Sequence, residues 1–168
     1  MATVVLAGGG TAGHIEPALA VAREWMKSHP TDTCIFLGTK SGLENTLVPA
    51  AGFQLRTIPK VKISRTPSAS WLRIPFDLIA SIAASITVVK NADVVIGFGG
   101  YVSAPAYLAA AITRSPIVIH EANAKPGWAN RLGAGFTKHL AVAHPVEEGS
   151  FSKALLAGLP LRSDVAQG

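Results

Sequence analysis

The run Thr3-Val4-Val5-Leu6-Ala7-Gly8-Gly9-Gly10-Thr11-Ala12-Gly13-His14-Ile15-Glu16-Pro17 decides how the rest of the chain is read. Its first five residues are apolar and rich in β-branched side chains, which predicts a buried strand. Residues 18–25, Ala-Leu-Ala-Val-Ala-Arg-Glu-Trp, predict a helix. A glycine-rich turn therefore joins a strand to a helix. Glycines there let the backbone approach a ligand closely, and the unpaired N–H groups and dipole of a helix start favour an anion. Pro17 suits the beginning of that helix, having no N–H to lose.

The same glycines admit more than one reading. Gly8-x-Gly10-x-x-Gly13 matches the dinucleotide-binding fingerprint, which also expects an acid at the end of the second strand. The second strand reads Thr33-Cys34-Ile35-Phe36-Leu37-Gly38-Thr39-Lys40 and ends without one. Lys40 would suit only the 2′-phosphate of NADP. The Gly-Lys-Ser/Thr of a P-loop is absent. His14 adds a titratable side chain beside the anion site. The plain alternative is a tight turn with His14 at a helix start.

At 168 residues, 49% hydrophobic and 15% charged, the chain has enough apolar surface for one packed domain and is far from the disordered composition. A formal net charge of +5 suits an anionic partner, either a phosphorylated substrate or a membrane surface. No interleaving of aromatic and basic residues points to nucleic acid. Cys34, the one cysteine, excludes an intrachain disulfide framework and reads as a small core residue. The N-terminus reads as lacking a signal peptide, and residues 74–89 are too short and too interrupted to span a bilayer.

Outward from the opening turn, strand and helix alternate. Residues 43–51 predict a short helix closed by Gly52, and 53–58 a third strand. A basic loop follows, then a long helix over 70–90. Strands over 94–98, 116–120 and 139–143 alternate with helices over 103–113 and 128–136, and 153–157 suggest a short last strand. Continuous apolar strands separated by helices predict an α/β fold: a Rossmann-like parallel sheet covered by helices on both faces. Strand order 3-2-1-4-5-6 would set the first strand beside the fourth and open a crevice at their C-terminal ends. Two further loops would then meet the first turn. They are Gly97-Phe98-Gly99-Gly100-Tyr101-Val102-Ser103 and His120-Glu121-Ala122-Asn123. That convergence points to a binding site with acid–base capacity.

In the long helix Leu72, Ile79 and Ile86 recur at seven, with Phe76, Ile82 and Val89 beside them, and this predicts a core stripe. Trp71, Ile74, Pro75 and Leu78 add apolar surface near its start, close in sequence to Lys60, Lys62, Arg65 and Arg73. An apolar patch with a basic surround suits shallow insertion into an anionic bilayer, with ordinary packing as the alternative.

Three motifs in order resemble the N-terminal half of the MurG family, the UDP-N-acetylglucosamine transferases of peptidoglycan synthesis in glycosyltransferase family 28. They are residues 8–20, then Gly99-Gly100-Tyr101-Val102-Ser103-Ala104-Pro105, then His120-Glu121-Ala122-Asn123 with Pro126-Gly127-Trp128-Ala129-Asn130-Arg131. The terminal Gly158-Leu159-Pro160-Leu161-Arg162 is similar to the family's Gly-Asn-Pro-Val-Arg segment. The chain departs from the pattern at Ala12 and Ala104, where glycine is common, at Ala122, where glutamine is common, and at Leu159.

The resemblance implies the acceptor-binding half of an inverting GT-B glycosyltransferase. Residues 1–158 would be that domain and 159–168 the start of a linker to a donor-binding domain, without which turnover is not expected. The implied reaction moves GlcNAc from UDP-GlcNAc to the C4 hydroxyl of MurNAc in undecaprenyl-pyrophosphoryl-MurNAc-pentapeptide, lipid I to lipid II. It would run at the cytoplasmic face of the membrane, with no cofactor and no metal held by the protein. The two glycine-rich turns could hold the acceptor's pyrophosphate, and His14 or Glu121 has the chemistry of the general base. Substrate contacts are then expected at Gly10, Thr11, Ala12, Gly13, Gly99, Gly100, Tyr101, Ser103, Asn123 and Arg162, and membrane contact at Trp71, Arg73, Ile74 and Leu78. Two rival readings are a non-catalytic lipid- or membrane-binding module and an NADP-dependent oxidoreductase.

Overall fold

The computed structural model describes residues 1–60 and 72–160. Seven strands alternate with five helices: β1 (Thr3–Gly8), α1 (Ala12–Ser28), β2 (Thr33–Gly38), α2 (Glu44–Ala50), β3 (Gln54–Thr57), α3 (Ile74–Val89), β4 (Val94–Gly99), α4 (Ser103–Thr113), β5 (Ile117–Glu121), α5 (Trp128–Gly133), β6 (Leu140–Val142) and β7 (Leu155–Leu156). All strand pairings are parallel, in the order β3-β2-β1-β4-β5-β6-β7. This is the anticipated order with one short strand added at the edge. The register between β1 and β4 slips after Ala7 pairs Gly97, so that Gly8 faces Gly99 and the two glycine-rich turns leave the sheet together.

The alternation of side chains along each strand feeds two cores. Val4, Leu6, Phe36, Ile96 and Phe98 pack against Ile15, Ala18, Leu19 and Ala22 of α1 and Val48 of α2. Val5, Ala7, Leu37, Val95 and Ile119 pack on the other face with Val89 of α3 and Ala106, Tyr107, Ala109 and Ala110 of α4. Cys34 lies in the first core, and burial pushes its thiol up to about 11, an inert core position as anticipated.

Two local expectations need correction. Helix α1 begins at Ala12, so Pro17 lies inside it and not at its start. The missing proline N–H leaves the Gly13 carbonyl without its usual i+4 donor. In α3 the predicted core stripe holds only toward the C-terminal end, where Val89 is buried and Ile86 packs beside it; Leu72, just before the helix, Phe76 and Ile79 face outward at 77%, 73% and 64% exposed. The buried positions are Ser81, Ser85 and Val89. Here α3 packs on α4, whose buried positions are mostly alanine. Small side chains on both helices let the backbones come close, and Ser85 satisfies its own hydroxyl on the Ser81 carbonyl at 2.9 Å. Among the described residues no helix is long and apolar enough to cross a membrane.

Candidate functional site

The sheet brings the C-terminal ends of β1, β4 and β5 to one rim, and three of the predicted loops meet there. His14, half-buried in the first turn of α1, is lodged against the turn that follows β4. A Cβ on Gly99 would stand 3.2 Å from His14 Cδ2 and 3.3 Å from its Nε2, and one on Gly100 would stand 3.1 Å from Nδ1 and collide with the Gly9 carbonyl. Gly99 and Gly100 have φ of +90° and +80°, a backbone that side-chain-bearing residues rarely adopt. The close packing of the two turns thus requires glycine there on two counts. His14 Nδ1 lies 3.0 Å from Thr11 Oγ1. Thr11 occupies the N-cap position but spends its hydroxyl on His14 and not on a backbone N–H. With Nδ1 engaged, Nε2 is the nitrogen left to exchange a proton.

The backbone donors of the two turns are distributed differently from the expectation. The Gly10 N–H donates to Glu44 Oε2 at 3.2 Å, and the Gly99 N–H donates to Ser103 Oγ at 3.1 Å. Both amides are therefore consumed within the chain. The first-turn amides of α1, at exposed Ala12 and Gly13, and those after Gly99 are the nearest candidates for anion donors at this rim. Ser103 itself is fully buried, its hydroxyl reaching the Ala7 carbonyl at 2.7 Å and the Gly99 carbonyl at 2.9 Å. It ties β1 to β4 and does not face the crevice. Tyr101 is half-buried at the rim with its hydroxyl 3.5 Å from the Pro59 carbonyl.

Glu121 also departs from the role of a free base. It is 1% exposed, and its two oxygens accept four N–H donors. Oε1 takes the Asn123 N–H at 2.8 Å and Asn123 Nδ2 at 2.9 Å, while Oε2 takes the Gly127 N–H at 2.9 Å and Asn130 Nδ2 at 2.9 Å. This carboxylate shapes the loop after β5 and aims Asn123, which is exposed, at the rim. Asn130 extends the network by accepting the Tyr107 hydroxyl at 2.7 Å. Burial drives the Tyr107 phenol far above its ordinary range, so it remains a donor. His120 is buried, with Nε2 donating to the Gly158 carbonyl at 2.9 Å and its ring beside Phe98.

Glu44 went unread in the sequence, where a single acid opening a short helix carries no special mark. It is 1% exposed beneath the first turn. A cavity of about 240 Å³ opens beside it, lined among others by Gly10, Thr39, Ser41, Lys60 and Tyr101. A larger hollow of about 810 Å³ lies at the other end of the sheet, beside Arg114, Ile117 and Lys138, away from the convergent loops. Trp71, Lys62, Arg65 and Arg162 lie outside the described residues. Of the remaining membrane-contact positions, Arg73 is exposed, Ile74 half-buried and Leu78 36% exposed.

The sequence profile of the glycosyltransferase family 28 N-terminal domain matches residues 4–142. The chain is 49% identical over 97% of its length to the UDP-N-acetylglucosamine–N-acetylmuramyl-(pentapeptide) pyrophosphoryl-undecaprenol N-acetylglucosamine transferase of Frankia casuarinae, and 47% identical over 97% to that of Streptomyces avermitilis. It spans 43% and 45% of those proteins. The crystal structure of Acinetobacter baumannii MurG superposes with a TM-score of 0.72 at 32% identity, covering 86% of this chain and 41% of that one. The dinucleotide reading of the glycines finds no support here, since the Gly10 amide faces the chain's own carboxylate. Its seven-stranded parallel sheet is that of the N-terminal half of a GT-B glycosyltransferase, and the chain belongs to glycosyltransferase family 28.

Proposed function

We propose that this chain is the acceptor-binding half of an inverting N-acetylglucosamine transferase of peptidoglycan synthesis. Its ligand is the lipid-linked muramyl-pentapeptide pyrophosphate, lipid I, and its reaction with UDP-GlcNAc needs a separate donor-binding domain. The observation that carries the reading is His14, lodged between the two glycine-rich turns with Nδ1 held by Thr11. An Nδ1–H donated to Thr11 Oγ1 leaves a lone pair on Nε2, which takes the proton of the attacking C4 hydroxyl. The first-turn amides of α1 and the turn after β4 receive the pyrophosphate, and Asn123, aimed by Glu121, orients sugar groups. Glu121 serves as the support of that loop, since its lone pairs are already occupied.

Membrane contact belongs to the same reading. Leu72, Phe76 and Ile79 extend the apolar surface of Ile74 and Leu78, with Arg73 beside them. This surface rests on the cytoplasmic face of the membrane as a peripheral attachment, where the prenyl chain of the acceptor is anchored.

The test is calorimetric titration of this chain with a short-prenyl lipid I analogue, run beside UDP-GlcNAc. Acceptor binding with little donor binding is expected. A folded sample that binds no acceptor would overturn the assignment. In a two-domain protein carrying this half, His14→Ala lowers turnover by about two to four orders, the span of a lost general base, and unchanged turnover removes His14 from that role.

A further inference from the structure

We infer that Glu44 is a positioning residue: its buried carboxylate pins the turn between β1 and α1, and through it Thr11 and His14, in the arrangement the acceptor meets. The functional consequence rests on the acceptor-site reading above; the pinning itself does not.

An acid at the start of α2 would ordinarily serve its own helix dipole from the surface. Glu44 instead turns inward and divides its two oxygens between distant segments. Oε1 accepts the Thr39 N–H at 2.8 Å and the Thr39 hydroxyl at 3.0 Å, and Oε2 accepts the Gly10 N–H at 3.2 Å, 34 residues away in sequence. Three glycines build the cage around it. A Cβ on Gly42 would fall on the carboxylate, one on Gly38 on Glu44 Cγ, and one on Gly9 would stand 3.1 Å from Oε1. Burial alone would push this carboxyl up, but the hydrogen bonds from Thr39, its own backbone and Gly10 outweigh it and hold the group below its ordinary value, as the anion. Gly10 has φ of +89°, and a Cβ there would meet nothing within 4 Å, so no close neighbour demands glycine at this bend; its backbone conformation does. The hydrogen bond to Glu44 ties it to the buried carboxylate, two residues before helix α1 begins.

The charge makes the role separable from mere packing. Glu44→Gln keeps the shape but leaves one acceptor oxygen. Thr39 offers two donors and retains it, so the new NH2 faces the Gly10 N–H, donor against donor. Amide hydrogen exchange followed by NMR should then accelerate at Gly10 on the order of tenfold or more, the loss of one charge-assisted bond, while Thr39 and the β1 amides keep their protection. Unchanged exchange at Gly10 would overturn the inference, and acceleration at Thr39 with Gly10 unchanged would mark Glu44 as an anchor of its own loop only. In the unmutated chain the Gly10 amide proton should shift with the same midpoint as the Glu44 side-chain carboxyl carbon. A Gly10 shift indifferent to that titration also overturns it, whether or not the variant folds. Titration with the short-prenyl lipid I analogue completes the test: where the unmutated chain binds it, Glu44→Gln should bind on the order of tenfold more weakly, and equal affinity refutes the positioning role. An unmutated chain that binds no analogue refutes the acceptor reading, and the exchange result then decides the pinning alone.

Discussion

Asn130→Ala should unfold this domain at distinctly lower urea concentration, and the reason can be worked atom by atom. Asn130 is fully buried. Its Oδ1 accepts the Tyr107 hydroxyl at 2.7 Å, and its Nδ2 donates to Glu121 Oε2 at 2.9 Å and, more weakly, to the His120 carbonyl at 3.4 Å. Truncation strands a buried hydroxyl, costing about 1–3 kcal/mol. It also takes one donor from a buried carboxylate, about 1.5–3 kcal/mol for a bond to a charged group. The two together come to roughly 2.5–6 kcal/mol, a large share of the ~5–15 kcal/mol stability of a typical domain. Equilibrium urea unfolding should show the midpoint fall with the slope unchanged. The sharper test is the double variant. Tyr107→Phe alone leaves Asn130 Oδ1 without its donor and destabilises, whereas combined with Asn130→Ala it removes the stranded hydroxyl and should be neutral or stabilising. A coupling of about 1–3 kcal/mol is expected from the cycle. A loss under about 1 kcal/mol for Asn130→Ala, or simple additivity, would refute the account of this network.

Further outcomes follow from the same geometry. Because the Glu44 carboxyl is held below its ordinary value, it contributes stability at and above the unfolded carboxylate range and loses it as pH falls through its folded pKa. The urea-midpoint gap between the unmutated chain and Glu44→Gln should therefore narrow as pH is lowered below that range, and a gap independent of pH would contradict the ionised state. Phe76→Ser with Ile79→Ser should reduce co-sedimentation with anionic vesicles while shifting the urea midpoint by no more than ~0.5 kcal/mol equivalent, as for exposed positions. Full retention of vesicle binding would separate α3 from membrane contact.

The order of the sheet was legible because continuous apolar strands separated by helices leave few parallel arrangements, and the glycine-rich turns marked which strand ends carry the rim. Periodicity misled in the first half of α3, where Leu72, Phe76 and Ile79 lie outside, and held at Ile86 and Val89. A helix facing a row of alanines gains more from close approach than from bulk, and a hydropathy pattern does not register that choice. The polar letters at the rim were read as one group, but burial sorts them. Ser103 and Glu121 satisfy backbone and loop donors, while His14 and Asn123 remain at the crevice. Glu44 escaped notice because its partners, Thr39 and Gly10, come together only when β1 and β2 pair.

The close seat of α3 on α4 inverts the usual relation between hydropathy and tolerance to change. At Leu72, Phe76 and Ile79 the side chain has open space among the described residues, so the packing described there accepts nearly any residue. At Ser81 and Ser85, both fully buried, an added methylene or two has nowhere to go and would wedge the helices apart. A saturation library of α3 scored for folding alone should thus tolerate change at Phe76 and Ile79 and penalise enlargement of the serines. Scoring the same library for vesicle binding in place of folding would show whether Phe76 and Ile79 need to be apolar for membrane contact.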